Sequence, residues 1–184
     1  MRKLAVVGYL GIFVLIGVLV YAQQDKSKRP SPPGTTSVSF PDGKKITVDY
    51  SRPKIHDPKT GQLRKVGVEV APYGKVWRTG ANEATTFVTT ADLMVGDLHV
   101  PAGNYTLYTI PGESEWTIII NKQTGQWGTE YDEKQDLGRT KVKSEKTSAP
   151  VEQFTISFDK TNEKATAMNL AWENTKVSVP ITEH

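Results

Sequence analysis

From Ser37 onward, apolar and polar residues alternate with a period of two and not 3.6, so the chain predicts strands. Residues 37–40 and 45–50 flank Pro41-Asp42-Gly43-Lys44, a hairpin that sets Ile46, Val48 and Tyr50 on one face and Thr47 and Asp49 on the other. Ser51-Arg52-Pro53 ends the second strand, because proline removes a ladder donor. Residues 54–65 carry His56, Asp57, Pro58 and Gly61 with no buried period and predict an exposed loop. Short β segments follow at 86–90, 93–95, 98–100 and 105–110, with Gly96-Asp97 as a hairpin turn. Residues 115–121 are apolar on both faces at their centre, which predicts a central strand covered on both sides. A polar loop at 123–136 precedes β segments at 153–158, 165–172 and 176–181. Trp116 and Trp172 fall inside these segments and are expected in the core. Ten or so short strands with Gly, Pro, Asn and Asp turns predict an all-β domain, a β-sandwich or jelly-roll-like barrel; spacing leaves the strand order open.

The N-terminus departs from this pattern. Met1-Arg2-Lys3 precedes an apolar run from Leu4, and Val20-Tyr21-Ala22 has the small residues that a signal peptidase needs. Residues 1–22 therefore predict a targeting helix, with cleavage after Ala22 favoured over a retained membrane anchor; either outcome puts the domain in the periplasm or outside the cell. Residues 23–34, Gln-Gln-Asp-Lys-Ser-Lys-Arg-Pro-Ser-Pro-Pro-Gly, offer no apolar side chain beyond proline and predict a disordered tether, leaving residues 35–184 as one domain.

The charge distribution narrows the partners. Of the formal +3, Arg2 and Lys3 account for two and residues 23–34 for a net two more, leaving the domain at −1. A nearly neutral domain lacks the clustered cations that nucleic acid requires. With no cysteine there are no disulfides, thiolate nucleophiles or thiolate metal sites. His56 and His99 lie far apart with no ligand spacing around them and His184 is terminal, so neither a metal nor another cofactor is expected.

The candidate chemistry concentrates in residues 71–87. Arg78 offers a planar fork for carboxylate, phosphate or paired hydroxyls; Asn82 donates and accepts; Glu83 is an acceptor or proton carrier; Tyr73 and Trp77 are stacking surfaces. Together they fit a small polar or carbohydrate ligand, with Trp127 as a further ring for stacking a sugar. Arg78, Asn82 and Glu83 are expected to share one polar depression with Tyr50, Arg52 and His56. The competing reading makes Trp77 core and pairs Arg78 with Glu83 as a loop clasp, leaving a structural interaction domain with no small-molecule site. No Gly-x-Ser-x-Gly elbow supports serine hydrolysis; a glycosidase-like hydrolase would need Glu83 with Glu115 or Asp132.

Tyr50-Ser51-Arg52-Pro53, the block from Pro72 to Thr85, Pro101-Ala102-Gly103 and Glu115-Trp116-Thr117-Ile118 resemble the signature blocks of a bacterial family, the domain of unknown function numbered 2911. The resemblance covers residues 35 to the C-terminus and implies an exported domain. It implies no catalytic residue.

Overall fold

The computed structural model describes residues 25–184. The predicted targeting segment, residues 1–22, and the first two tether residues lie outside the described residues.

Eleven strands form among the described residues: β1 (Pro33–Ser39), β2 (Lys45–Ser51), β3 (Val66–Gly67), β4 (Ala71–Pro72), β5 (Thr85–Thr89), β6 (Leu93–Val95), β7 (Leu98–Val100), β8 (Gly103–Ile110), β9 (Glu115–Asn121), β10 (Asp136–Phe158) and β11 (Ala165–Glu183). Nine belong to one antiparallel sheet in the order β1-β2-β5-β8-β9-β10-β11-β6-β7, while β3 and β4 make a small parallel pair. The domain is all-β, as the period-two pattern predicts. β9 occupies the middle of the order, and Ile118, Ile119 and Ile120 at its centre are all fully buried. Ile118 and Ile120 join the main core, whereas Ile119 faces the other way into a small cluster with Ala84 and Tyr108.

β10 joins the two halves of the sheet. Its first part, from Asp136 to Lys143, pairs with β9, and from Ser144 onward it pairs with β11. Side chains from both halves meet in one core: Ile46, Val48, Phe87 and Leu107 from one, and Phe154, Met168, Leu170 and Val179 from the other. Tyr50 ties the halves together, its hydroxyl accepting from the Ile156 amide at 2.9 Å.

Two stretches differ from the sequence pattern. Only the last six residues of β10 are predicted as strand, because its earlier part, rich in Lys, Glu, Thr and Ser, buries few side chains and shows no apolar period. Its pairing is carried by backbone hydrogen bonds, with Pro150 beside a register shift where a missing donor costs little. The second difference is the tether. From Asp25 on, the chain does not hang free: Lys26–Lys28 form one 3-10 turn capped by the Asp25 carboxylate, and Pro33 and Gly34 pair with Ser51 and Tyr50 at the start of β1. Apolar burial is not what holds this segment. Backbone pairing and ion pairs do so.

Candidate functional site

Trp77 anchors the loop that carries the candidate chemistry. Its backbone exchanges two hydrogen bonds with Thr109 of β8, at 2.7 and 2.9 Å. Its ring is 3% exposed, stacked on Trp172 at 6.0 Å and edge-on to Phe154 and Trp116 at 5.0 and 6.1 Å. The indole N–H donates to the Gly80 carbonyl at 3.0 Å, which ties the loop to the core. Gly80 itself must be glycine, since a Cβ there would stand 2.7 Å from the Ser51 carbonyl oxygen. Thr79 and Asn82 take left-handed backbone conformations, with φ of 52° and 59°. Asn tolerates that region, whereas for β-branched Thr it is a strained choice. Hydrogen bonds over-determine it: the Thr79 hydroxyl donates to Thr109 Oγ1 at 3.1 Å, and its carbonyl accepts from Thr85 Oγ1 at 2.8 Å.

The turn sends Asn82 and Glu83 toward the end of β2. Asn82 Nδ2 donates to Ser51 Oγ and to the Ser31 carbonyl, both at 3.2 Å. Glu83 faces a cleft of about 330 Å³ lined by Thr35, Asp49, Tyr50, Ser51, Thr86 and Gln126, together with Lys26 and Arg29 of the N-terminal segment. Thr35 pairs with Asp49 and Asp49 with Thr86, so these three side chains cross one face of three adjacent strands. Arg29 Nη1 donates to both Glu83 carboxylate oxygens at 2.9 Å, and Lys26 Nζ lies 3.1 Å from Oε1. Burial alone would raise the Glu83 pKa. Hydrogen bonds from Arg29, from its own backbone N–H and from Lys26 outweigh burial and hold it at about 2.

Backbone pairing also brings Glu83 to Trp127, through an isolated bridge flanked by Ala84 N to Gln126 O and Gly128 N to Asn82 O. Trp127 is 45% exposed and does not itself line the cleft.

Arg78 points elsewhere. It makes no ion pair with Glu83; its Nη1 donates to the Asn82 carbonyl at 3.0 Å, and no carboxylate pairs with it among the described residues. Its guanidinium opens on a second cleft of about 340 Å³ lined by Val70, Val76, Trp77, Gly128, Thr129 and Tyr131. Burial lowers its pKa, and the neighbouring Tyr108 hydroxyl opposes that shift.

The expected depression therefore divides. Tyr50 and Glu83 line the first cleft, Asn82 and Ser51 brace it, and Arg78 belongs to the second. Trp77 is core, its 3% exposure leaving only an edge at the second cleft and no ring face for stacking a ligand. Arg52 is engaged with β10, donating to the Phe154 carbonyl at 3.2 Å and to Thr155 Oγ1 at 2.9 Å. His56 lies outside both clefts, on Glu152 at 2.9 Å. Tyr73 is exposed but lies over Gly67, away from Glu83. His99 packs against His184, not against Glu83, and no group of three or more His, Asp or Glu gathers among the described residues. Sequence reasoning missed Lys26 and Arg29 by assigning them to the tether. The one signal for them is electrostatic: a +2 segment precedes a domain of −1.

A family model described as "Protein of unknown function (DUF2911)" matches residues 31–181. A search of curated proteins returned no match, and neither did a search of solved structures.

Proposed function

The chain belongs to the DUF2911 family, and we propose that it is an exported, non-catalytic module that binds a small polar molecule or glycan in the cleft beside Glu83. The observation that carries this reading is the lining itself. The carboxyl groups of Glu83 and Asp49, two cations and the hydroxyls of Thr35, Ser51 and Thr86 converge on one concavity. Such a set satisfies a ligand rich in hydroxyls or one that carries charges of both signs. The core common to both halves of the sheet supports a β-sandwich architecture, in which loops and strand ends commonly carry ligands. Export, to the periplasm or the cell exterior, rests on the leader pattern of residues 1–22.

The hydrolase reading is weaker. A general acid must hold its proton near neutral pH, and Glu83 does the opposite. The carboxylates expected to partner it, Glu115 and Asp132, do not line the cleft: Glu115 is paired with Lys141 at 3.1 Å and Asp132 caps the turn at Glu133–Gln135, while the acid that does line it, Asp49, accepts from the Thr35 hydroxyl.

The test is a thermal melt of wild type and Glu83→Gln against sugars, amino acids, nucleotides and divalent metals. A compound that raises the melting temperature of the wild type and not of the variant supports binding. If the variant melts well below the wild type and no compound shifts either protein, Glu83 is solely a structural partner of Arg29, and the binding reading fails.

A further inference from the structure

We propose that the cleft at Arg78 is a separate anion site, built for the carboxylate of a small ligand with an apolar body. A half-buried guanidinium is costly to leave without a counter-charge, because burial removes water that would otherwise solvate it. The other arginines drawn into the body of the domain are better matched: Arg29 has Glu83, Arg64 has Asp57 at 2.8 Å, and Arg52 has two acceptors on β10, the Phe154 carbonyl and Thr155 Oγ1. Arg78 has one carbonyl, that of Asn82, and the remaining N–H groups of its five-donor fork have no side-chain or backbone acceptor among the described residues.

The surroundings hold the fork in place. A Cβ at Gly128 would stand 2.3 Å from Arg78 Cδ and 2.8 Å from Nε, so glycine there lets the arginine stem lie flat on the backbone. The Tyr131 ring packs on Tyr108 at 4.9 Å, and its hydroxyl is consumed by donating to Asp136 at 2.7 Å and accepting from Arg139 at 2.8 Å. That ring is a fixed wall with no free polar atom. Val70 and Val76 form the apolar side, and Thr129 adds a hydroxyl. A preset planar fork matches a carboxylate through two parallel hydrogen bonds, and the valine and tyrosine walls match an apolar body attached to it. The cleft is independent of Glu83 and of the N-terminal segment, neither of which lines it.

The probes are benzoate, its neutral counterpart benzyl alcohol, and inorganic phosphate, titrated into the full chain and followed by saturation-transfer NMR. Benzoate is expected to saturate, with benzyl alcohol at least about tenfold weaker. Arg78→Gln should abolish benzoate binding. Because that change also removes the bond to Asn82, the second variant is Val76→Glu, which places a like charge on an exposed rim position. It should weaken benzoate by about tenfold or more with no change in melting temperature. Glu83→Gln should leave benzoate binding intact. Equal binding of benzoate and benzyl alcohol, indifference to Val76→Glu, or no saturation by benzoate would each overturn the site. Saturation by phosphate in place of benzoate would overturn the assignment to carboxylates.

Discussion

Arg78 and Glu83 leave the same loop in opposite directions, and the fold treats them differently. Glu83 meets two cations from a segment more than fifty residues away in sequence, and its charge is neutralised within the chain. Arg78, with a comparable need, receives a single carbonyl. Both lie in clefts of similar volume. A ligand at Glu83 must share or displace Arg29 and Lys26, whereas a ligand at Arg78 supplies the missing counter-charge and competes with nothing. The contrast shows that the volume of a cleft says less about its readiness to bind than the account of its charges.

The change that most severely tests this contrast lies beneath both clefts. Trp77→Ala removes the centre of the aromatic cluster and the bond that holds Gly80, and should cost roughly 3–5 kcal/mol in chemical denaturation. Both sites should be lost together; retention of either would show that the loop is positioned without its anchor. Arg29→Ala acts on one side only. The pair is partly exposed, so the expected cost is about 1 kcal/mol or less, with Arg78 chemistry unchanged. A double-mutant cycle with Glu83→Gln isolates that coupling, and a coupling of zero would mean that the Arg29–Glu83 pair adds nothing to stability and that backbone pairing holds the segment.

Acid provides a finer probe of the same side. The Glu83 pKa is lower in the fold than the unfolded value near 4.5, so its contribution is fully present above that value and is lost as pH falls toward about 2. Carboxyl NMR titration should give Glu83 the low value in the wild type and an ordinary one in Arg29→Ala. The smallest effect is expected at His56→Ala. Its partner Glu152 is also on the surface, and the melting temperature and both clefts should be unaffected.

Where the sequence was legible, burial had written a period into it. β2, β5 and β9 alternate or run apolar because each faces a core, and the central place of β9 follows from its two covered faces. Much of β10 carried no such mark, being held by backbone pairing between polar side chains. The block around Trp77 was recognisable as the place where aromatics and charges concentrate. What it could not show was the direction in which each charge points, because that depends on two left-handed residues, Thr79 and Asn82, in the turn between them. Nor does composition distinguish Arg29 in a free tether from Arg29 seated on a carboxylate. The cue is a matching charge distant in sequence, and one chain offers many such matches.

The hydroxyl of Tyr50 closes a loop of 106 residues when it meets the backbone of Ile156. Closing a flexible chain of that length costs about 4 kcal/mol of entropy, a cost met before the contact gives anything back. The β1–β2 and β8–β9 hairpins need no such closure and can form early. The barrier to folding should therefore lie at the meeting of the two halves, when Trp77 and Phe154 come into contact. Both clefts depend on the loop anchored at that junction, so the surface chemistry is expected to form with the slowest step, which stopped-flow folding followed by Trp77 fluorescence, set against ligand binding, would check.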